Sequence, residues 1–420
     1  MQSSPTPPDV AADAVVDFDH HSDTFNLNQH AINAELRQRC PVAWNQNYEG
    51  FWYASSYAAV SHMARDGDTF AHKYEPNADD GVDYQGEMGI PRPENQPALG
   101  IGEVDGDYHL ALRHALAPFL SPGAVDKMRP FMEDRAHHFL DQHIEKGEMD
   151  LVLDYASPVP AILTMKLMGL PLANWQLYAT LFHNVMAVPQ DSAEYTDAIA
   201  KVPAMMQEVL EYAATRRAKP TDDLTSFLIQ FEFDGKRLDD EQLLNILWNL
   251  IAGGVDTTTS QTALTLRHLG TRPDLRQQLI KRPELYRTAT DEFLRYFSVN
   301  RSLSRTVTKD VELQGQCLRK NDRVIISWLA ANHDENEFER ADEIVLDRSP
   351  NRHVAFGLGP HRCIGSHLAR VMSEVMVKAV LDRIPDYEVD VDNVHQYLGN
   401  PAMTGLSNLP VTFTPGAKRS

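Results

Sequence analysis

Cysteine is scarce in this 420-residue chain: Cys40, Cys317 and Cys363 are the three it has. An odd, sparse count without regular spacing excludes a disulfide framework, and Cys40 and Cys317 read as inert packing residues. Positive charge is also short. Against 59 Asp and Glu stand 39 Lys and Arg, a net charge of −20, which argues against nucleic acid or an anionic membrane as the main partner. No uninterrupted apolar run reads as long enough to span a bilayer. Residues 1–21, rich in Pro, Asp and Ala, lack the basic start and apolar core of a secretory signal. They read as a loose, flexible N-terminal arm on a cytoplasmic protein. Repeats, low-complexity tracts and linkers are missing too, so residues 1–420 are expected to form one domain, and the protein a monomer.

What is present is the composition of a globular protein, 43% hydrophobic and 23% charged. A short strand pair is expected at 42–44 and 51–54 around Asn47-Tyr48-Glu49-Gly50, followed by a helix over 57–65. Residues 75–106 form a long Gly/Pro/Asp/Asn-rich loop with scattered apolar residues, a pattern that favours a lid or binding loop. From Tyr108 to Gly270 one helical pattern follows another. Short strands are expected between Arg305 and Leu329, helix after Cys363, and a last strand at 411–413. The fold class is mainly α with a small β portion.

Four stretches carry chemistry. In Phe356-Gly357-Leu358-Gly359-Pro360-His361-Arg362-Cys363-Ile364-Gly365 a cysteine sits in a glycine-rich turn ahead of an amphipathic helix, where unpaired amides and the helix dipole would stabilise a thiolate. Such a thiolate is a metal ligand or a nucleophile. In Leu250-Ile251-Ala252-Gly253-Gly254-Val255-Asp256-Thr257-Thr258 two glycines and an acid–alcohol pair interrupt a helix apolar all round, which must be buried. Either helices cross closely there, or the helix opens to admit a small ligand, with Asp256 and Thr257 relaying protons. Glu292 and Arg295, three apart, share a helix face. His109 and Arg113 lie one turn apart on another. Arg362, His367, Arg370 and Lys378 gather around the cysteine helix, either as a docking face for an acidic electron donor or as a merely solvated face.

In their order along the chain, across residues 109–365, these stretches resemble the cytochrome P450 monooxygenases of the soluble bacterial type. The resemblance implies a P450-like fold with haem between a distal kinked helix and the proximal cysteine-loop helix. Cys363 would be the axial ligand of the iron, within a loop that includes Phe356 and Gly365. His109, Arg113, Arg305 and His361 would grip the haem propionates. Thr257 would hydrogen-bond the bound oxygen species while Asp256 gates proton delivery, and Glu292, Arg295 and Arg348 would be structural. The cofactors implied are haem b, O2 as co-substrate, and NAD(P)H indirectly. Because the chain stops soon after Phe413, no reductase domain is expected, and electrons would come from a separate ferredoxin and ferredoxin reductase.

The pocket would be lined by Met88, Ile90, Leu99, Val185, Met186, Leu250, Ala252, Gly253, Val299, Leu303 and Met403. Their aliphatic character and the absence of an obvious cationic anchor favour a small apolar substrate, a terpenoid or steroid, over a fatty acid. A zinc site at His361, Cys363 and His367 lacks a fourth ligand. A non-catalytic haem-binding or sensor protein would not need the acid–alcohol pair, and peroxide-driven relatives commonly lack it.

Overall fold

The computed structural model describes residues 10–93, 96–188, 192–397 and 400–419. Among them are thirteen α-helices: α1 (Asp23–Arg39), α2 (Tyr57–Arg65), α3 (Gly106–Leu120), α4 (Pro122–His143), α5 (Pro158–Met168), α6 (Trp175–Ala187), α7 (Ala193–Ala218), α8 (Leu224–Gln230), α9 (Asp240–Thr271), α10 (Pro273–Lys281), α11 (Tyr286–Phe297), α12 (Trp328–Asn332) and α13 (Ser366–Arg383). Polar starters set several of their beginnings. Ser22, Ser56, Ser121 and Ser192 each accept a first-turn amide, and Asp239 with Gln242 forms a reciprocal capping box ahead of α9. These bonds satisfy amides that a helix cannot satisfy itself.

At 32 residues, α9 is about 48 Å long and runs through the core, with α5, α6 and α13 packed around it. Its two adjacent glycines divide the two sequence readings between them. A Cβ at Gly254 would come within 2.7 Å of Thr164 Oγ1 on α5, so this position is a close helix crossing; at Gly253 a Cβ would meet open space.

The larger sheet has six strands in the order Val15–Val16, Val42–Asn45, Phe51–Ala54, Arg323–Ser327, Ser302–Val307, Phe70–Ala71. The helices far outweigh the strands, so the fold is mainly α with a small β portion. The expected strand pair, helix 57–65 and terminal strand (Pro410–Thr412) are all present.

Three expectations need correction. The described part of the N-terminal arm, from residue 10, is packed: Val15–Val16 pairs parallel with Trp44 and Asn45, and Ala14 and His20 are buried. Two β-branched residues suffice to extend a sheet edge, a signal that Pro and Asp content hides; residues 1–9 of that arm lie outside the described residues. Cys40 is buried as expected, but Cys317 is exposed on the hairpin Val311–Leu313/Gln316–Leu318. Finally, the 18-residue run Leu151–Met168 is long and apolar enough to cross a membrane, yet 78% of it is buried inside the protein, as in a core helix.

The loop over 75–106 is pinned rather than loose. The buried Glu103 carboxylate accepts the amides of Glu87 (2.8 Å) and Leu99 (2.9 Å) and pairs with Arg92. Asn249 Oδ1 on α9 accepts the amides of Ile101 (3.1 Å) and Gly102 (3.0 Å). Next to this tie, Gly100 sits so close to α9 that a Cβ would fall 2.5 Å from the Ile246 amide nitrogen.

Candidate active site

The cysteine loop folds by local backbone bonding. The Cys363 amide donates to Phe356 O (2.7 Å) and the Arg362 amide to Gly359 O (3.1 Å). Gly359 has φ +70°, and a Cβ there would lie 2.3 Å from the Ala64 carbonyl oxygen at the end of α2. Gly359→Ala therefore combines left-handed strain with a backbone clash. A destabilisation of about 1–3 kcal/mol is expected, read as a lower urea midpoint together with weaker haem retention.

The α13 helix starts at Ser366 with Gly365 at its N-cap, three residues beyond the cysteine. Burial pushes the Cys363 thiol up, against the pull of the Gly365 amide and the guanidinium groups of Arg113, Arg362 and Arg370. A metal that binds this sulfur must therefore displace its proton.

Cys363 opens onto a cavity of about 300 Å3. The cavity brings together Phe356, His361, Cys363 and Gly365 from the loop, Arg113 from α3, Leu250, Gly253 and Thr257 from α9, and Val299, Leu303 and Arg305 around the sheet strand Ser302–Val307. Seven residues expected at the pocket do not line it. Ile90 is fully buried against Phe51, Tyr53 and Ile325, and Met403 belongs to the core with Tyr397 and Leu406. Leu99 is buried, its amide tied to Glu103. Val185, Met186 and Ala252 pack against core clusters, and Met88 lies in the pinned loop off the cavity wall. Apolar character in a loop or helix marks core as readily as pocket, so composition had no way to separate them.

Asp256 is the larger surprise. Although adjacent to Thr257, it is turned away from the cavity wall and buried, with Tyr397 and His183 as its neighbours. Thr257 faces the cavity and its hydroxyl donates to Gly253 O at 2.8 Å. Residues that sequence reasoning missed include His72, Glu87, Asn249, Asn300 and Trp328 on the cavity wall. A lone His or Glu in a loop carries no spacing signal that could have marked it.

One end of the cavity is basic. Arg305 is fully buried, and burial lowers it only to about 10, so it stays cationic. His109 stacks on His361 (3.8 Å between ring centroids), which stacks on His72 (3.5 Å). His361 is held by Asp105 at 2.8 Å. Burial lowers His109 to about 3, so its ring is neutral, and both its nitrogens lack a hydrogen-bond partner, as does Arg305 Nε. Glu87 also sits here, 2.8 Å from His72 and 3.6 Å from Arg305. Burial raises its carboxyl to about 8, so at neutral pH it places no negative charge beside an incoming anion.

Away from the cavity, Glu292 and Arg295 of α11 are completely buried and form a fork of two bonds, 2.8 and 2.9 Å. Arg348 joins Glu292 at 2.9 Å. Arg295 also donates to the carbonyls of Asn332, Ala341 and Glu343, and Glu292 accepts the Val345 amide. The cluster thus fastens α11 to the chain that leads into the cysteine loop.

A cysteine sulfur and a helix-borne threonine on the wall of one cavity, with guanidinium groups at one end, define the haem-thiolate oxygenase class. The model of the cytochrome P450 family matches residues 171–396. The chain is 31% identical over 329 residues to the mycinamicin IV hydroxylase/epoxidase of Micromonospora griseorubida, covering 76% of this chain and 82% of that protein. It is 28% identical over 394 residues to the linalool 8-monooxygenase of Pseudomonas putida, covering 92% and 96%. A solved Mycobacterium marinum cytochrome P450 in complex with pseudoionone superposes with a TM-score of 0.82 at 26% identity, covering 92% of this chain and 95% of that one. The chain belongs to the cytochrome P450 family and is a P450 monooxygenase; haem, iron and O2 follow from that membership.

The residues present fit a haem. The cavity extends from a sulfur to a basic end, and that end holds buried donors without partners, as a dianionic edge requires.

Proposed function

We propose that this P450 hydroxylates a C–H bond of a small, neutral, apolar substrate, a terpenoid or steroid in size and character, using electrons from a separate ferredoxin and its NAD(P)H-dependent reductase. The observation that carries the substrate class is the part of the cavity wall where Leu250, Gly253, Val299 and Leu303 present aliphatic surface and bare backbone. The charged groups collect at the far, basic end. Related proteins named for linalool and pseudoionone are consistent with that chemistry. The reading places the protein in the cytoplasm as a monomer.

In this reading Cys363 would supply the sulfur that holds the haem iron, and the Gly365 amide would temper its charge. Arg113, Arg305, His109 and His361 hold the propionates. The bound haem supplies the redox and oxygen chemistry. Thr257 contributes a hydroxyl that can turn from the Gly253 carbonyl toward the cavity and pass a proton there, and Asp256 feeds it. On the proximal face Arg370 and Lys378 are paired with Asp291 and Asp382, so Arg362 and His367 are left to meet an acidic electron donor.

Thr257→Ala tests the proton role. Oxygen consumption should continue, but product formed per O2 should fall by about 10²-fold, with peroxide released instead. Unchanged coupling would remove Thr257 from the mechanism. Substrate class is tested by spin-state titration of the purified protein with terpenoids, steroids and fatty acids; preferential response to fatty acids would overturn the assignment.

A further inference from the structure

Asn249 spends only half of its side chain on mooring the 75–106 loop. Its Oδ1 accepts the amides of Ile101 at 3.1 Å and Gly102 at 3.0 Å. An atom that takes two N–H donors must be the oxygen, so the orientation of the side-chain amide is fixed and its nitrogen is left for another partner. That nitrogen carries two hydrogens, and neither has an acceptor among the described residues. Nor is it sealed inside the protein: Asn249 is half-buried and stands on the cavity wall, together with Ile101, Gly102 and Leu250.

The place of this donor along α9 decides what it can meet. Asn249, Gly253 and Thr257 are four residues apart, so they fall on one stripe of the helix, and all three line the cavity. At 1.5 Å per residue, Asn249 lies about 12 Å from Thr257 along the axis. Between them are the bare backbone of Gly253 and the side chain of Leu250. A ligand lying along this stripe meets apolar surface over most of its length and an N–H donor at the end remote from Thr257. Asn300 is a second amide on the wall. No hydrogen bond among the described residues fixes which of its ends faces the cavity, so Asn300 carries no preference for a donor or an acceptor.

We infer that Asn249 is a specificity-determining residue whose side-chain N–H takes an oxygen acceptor on the substrate, so that the preferred substrate is an apolar terpenoid or steroid already carrying a carbonyl or hydroxyl at the end remote from the carbon that is attacked. The inference rests on the neutral apolar substrate proposed above and adds the polar group by which such a molecule is held. Hydrophobic contact has no direction, so an aliphatic wall alone accepts a hydrocarbon in many poses. One hydrogen bond at a fixed place selects among them. A hydrocarbon filling the same space strips water from the Asn249 donor and gives it nothing in return, so the site turns against it.

Asn249→Asp separates recognition from mooring. The carboxylate keeps an oxygen for the Ile101 and Gly102 amides, and those two donors favour its ionised form, so the loop stays attached. It offers no N–H, so a ketone loses its partner, whereas an alcohol can donate to the carboxylate and is still held. Asn249→Leu removes both functions at once.

The test uses the haem-loaded protein at neutral pH, with dissociation constants read by spin-state titration. Two series serve as probes: androstane with its ring-A ketone and ring-A alcohol, and geranylacetone with its alcohol and the hydrocarbon lacking the oxygen. The native protein should bind each ketone and alcohol about tenfold more tightly than its hydrocarbon, the effect of one neutral hydrogen bond. It should hydroxylate the androstane ketone on ring C or D, away from the existing oxygen. Asn249→Asp should lose the preference for ketones, keep that for alcohols, and leave the 75–106 loop as resistant to protease as in the native protein. Equal binding of ketone and hydrocarbon by the native protein overturns the inference and leaves the apolar reading intact. A ketone preference that survives Asn249→Asp but not Asn249→Leu overturns it too, and assigns the residue to mooring alone. If neither series shifts the spin state, the apolar reading fails and the inference falls with it.

Discussion

Cys363→Ser should leave a folded protein that has lost its oxygenase activity. The cysteine's backbone bond to Phe356 O and the Gly359 contact with α2 do not involve the sulfur, so the loop should keep its shape with a hydroxyl in place. Serine oxygen would be a far poorer donor to a haem iron than thiolate sulfur, and the oxygen chemistry that the bound haem would supply would be lost with it. Product formation should fall by about three orders of magnitude or more, equivalent to about 4 kcal/mol of barrier. The accompanying readout is the Soret band of the reduced carbon-monoxide complex, strongly red-shifted in the native protein and unshifted in the variant. A red-shifted band in Cys363→Ser would mean that the sulfur is not the ligand. The raised thiol pKa adds a direction: because iron must displace a proton that burial holds in place, haem loading of apoprotein should be weaker at acidic pH and improve as pH rises.

The second large effect is on folding, far from any reacting atom. Arg295→Ala should cost about 3–5 kcal/mol, because it leaves the Glu292 carboxylate buried and deprived of its two-bond fork while three carbonyls lose their donor. A lowered urea midpoint with incomplete haem incorporation is expected. Arg295→Lys, which keeps the charge but not the planar fork, should fall between. Arg348→Ala should be milder, since Arg348 reaches Glu292 from a more accessible position and Arg295 remains to balance the charge. Equal urea midpoints for native protein and Arg295→Ala would show that the buried cluster contributes nothing to stability.

Much of this architecture was legible in the sequence because local rules and the tertiary structure agree. The helix Tyr57–Arg65 and the strand pair before it follow their own periodicity and turn residues. The cysteine loop and Thr257 announce themselves by residue types that are expensive to place there without use. What was not legible depends on which way a side chain points. Asp256 and Thr257 are neighbours in sequence but about 100° apart around α9, so the motif names both while only one meets the cavity. Ile90 and Met403 are apolar like true pocket residues, and only packing shows that they are filled in on every side. The Val15–Val16 strand was hidden for a different reason: two residues are too few for any periodic signal, and pairing with a distant edge supplies the rest.

The attachment of the 75–106 loop to α9 has a consequence for how this protein diversifies. Asn249 grips main-chain amides at 101 and 102, and Glu103 likewise takes main-chain amides at 87 and 99. Neither contact reads the side chains it secures. Substitutions can therefore accumulate along the loop without unseating it, provided that Asn249, Glu103 with its partner Arg92, and the bare Cα of Gly100 persist. Chimaeras that import a foreign loop would need to carry those four along, because the inherited unit is the loop together with its moorings.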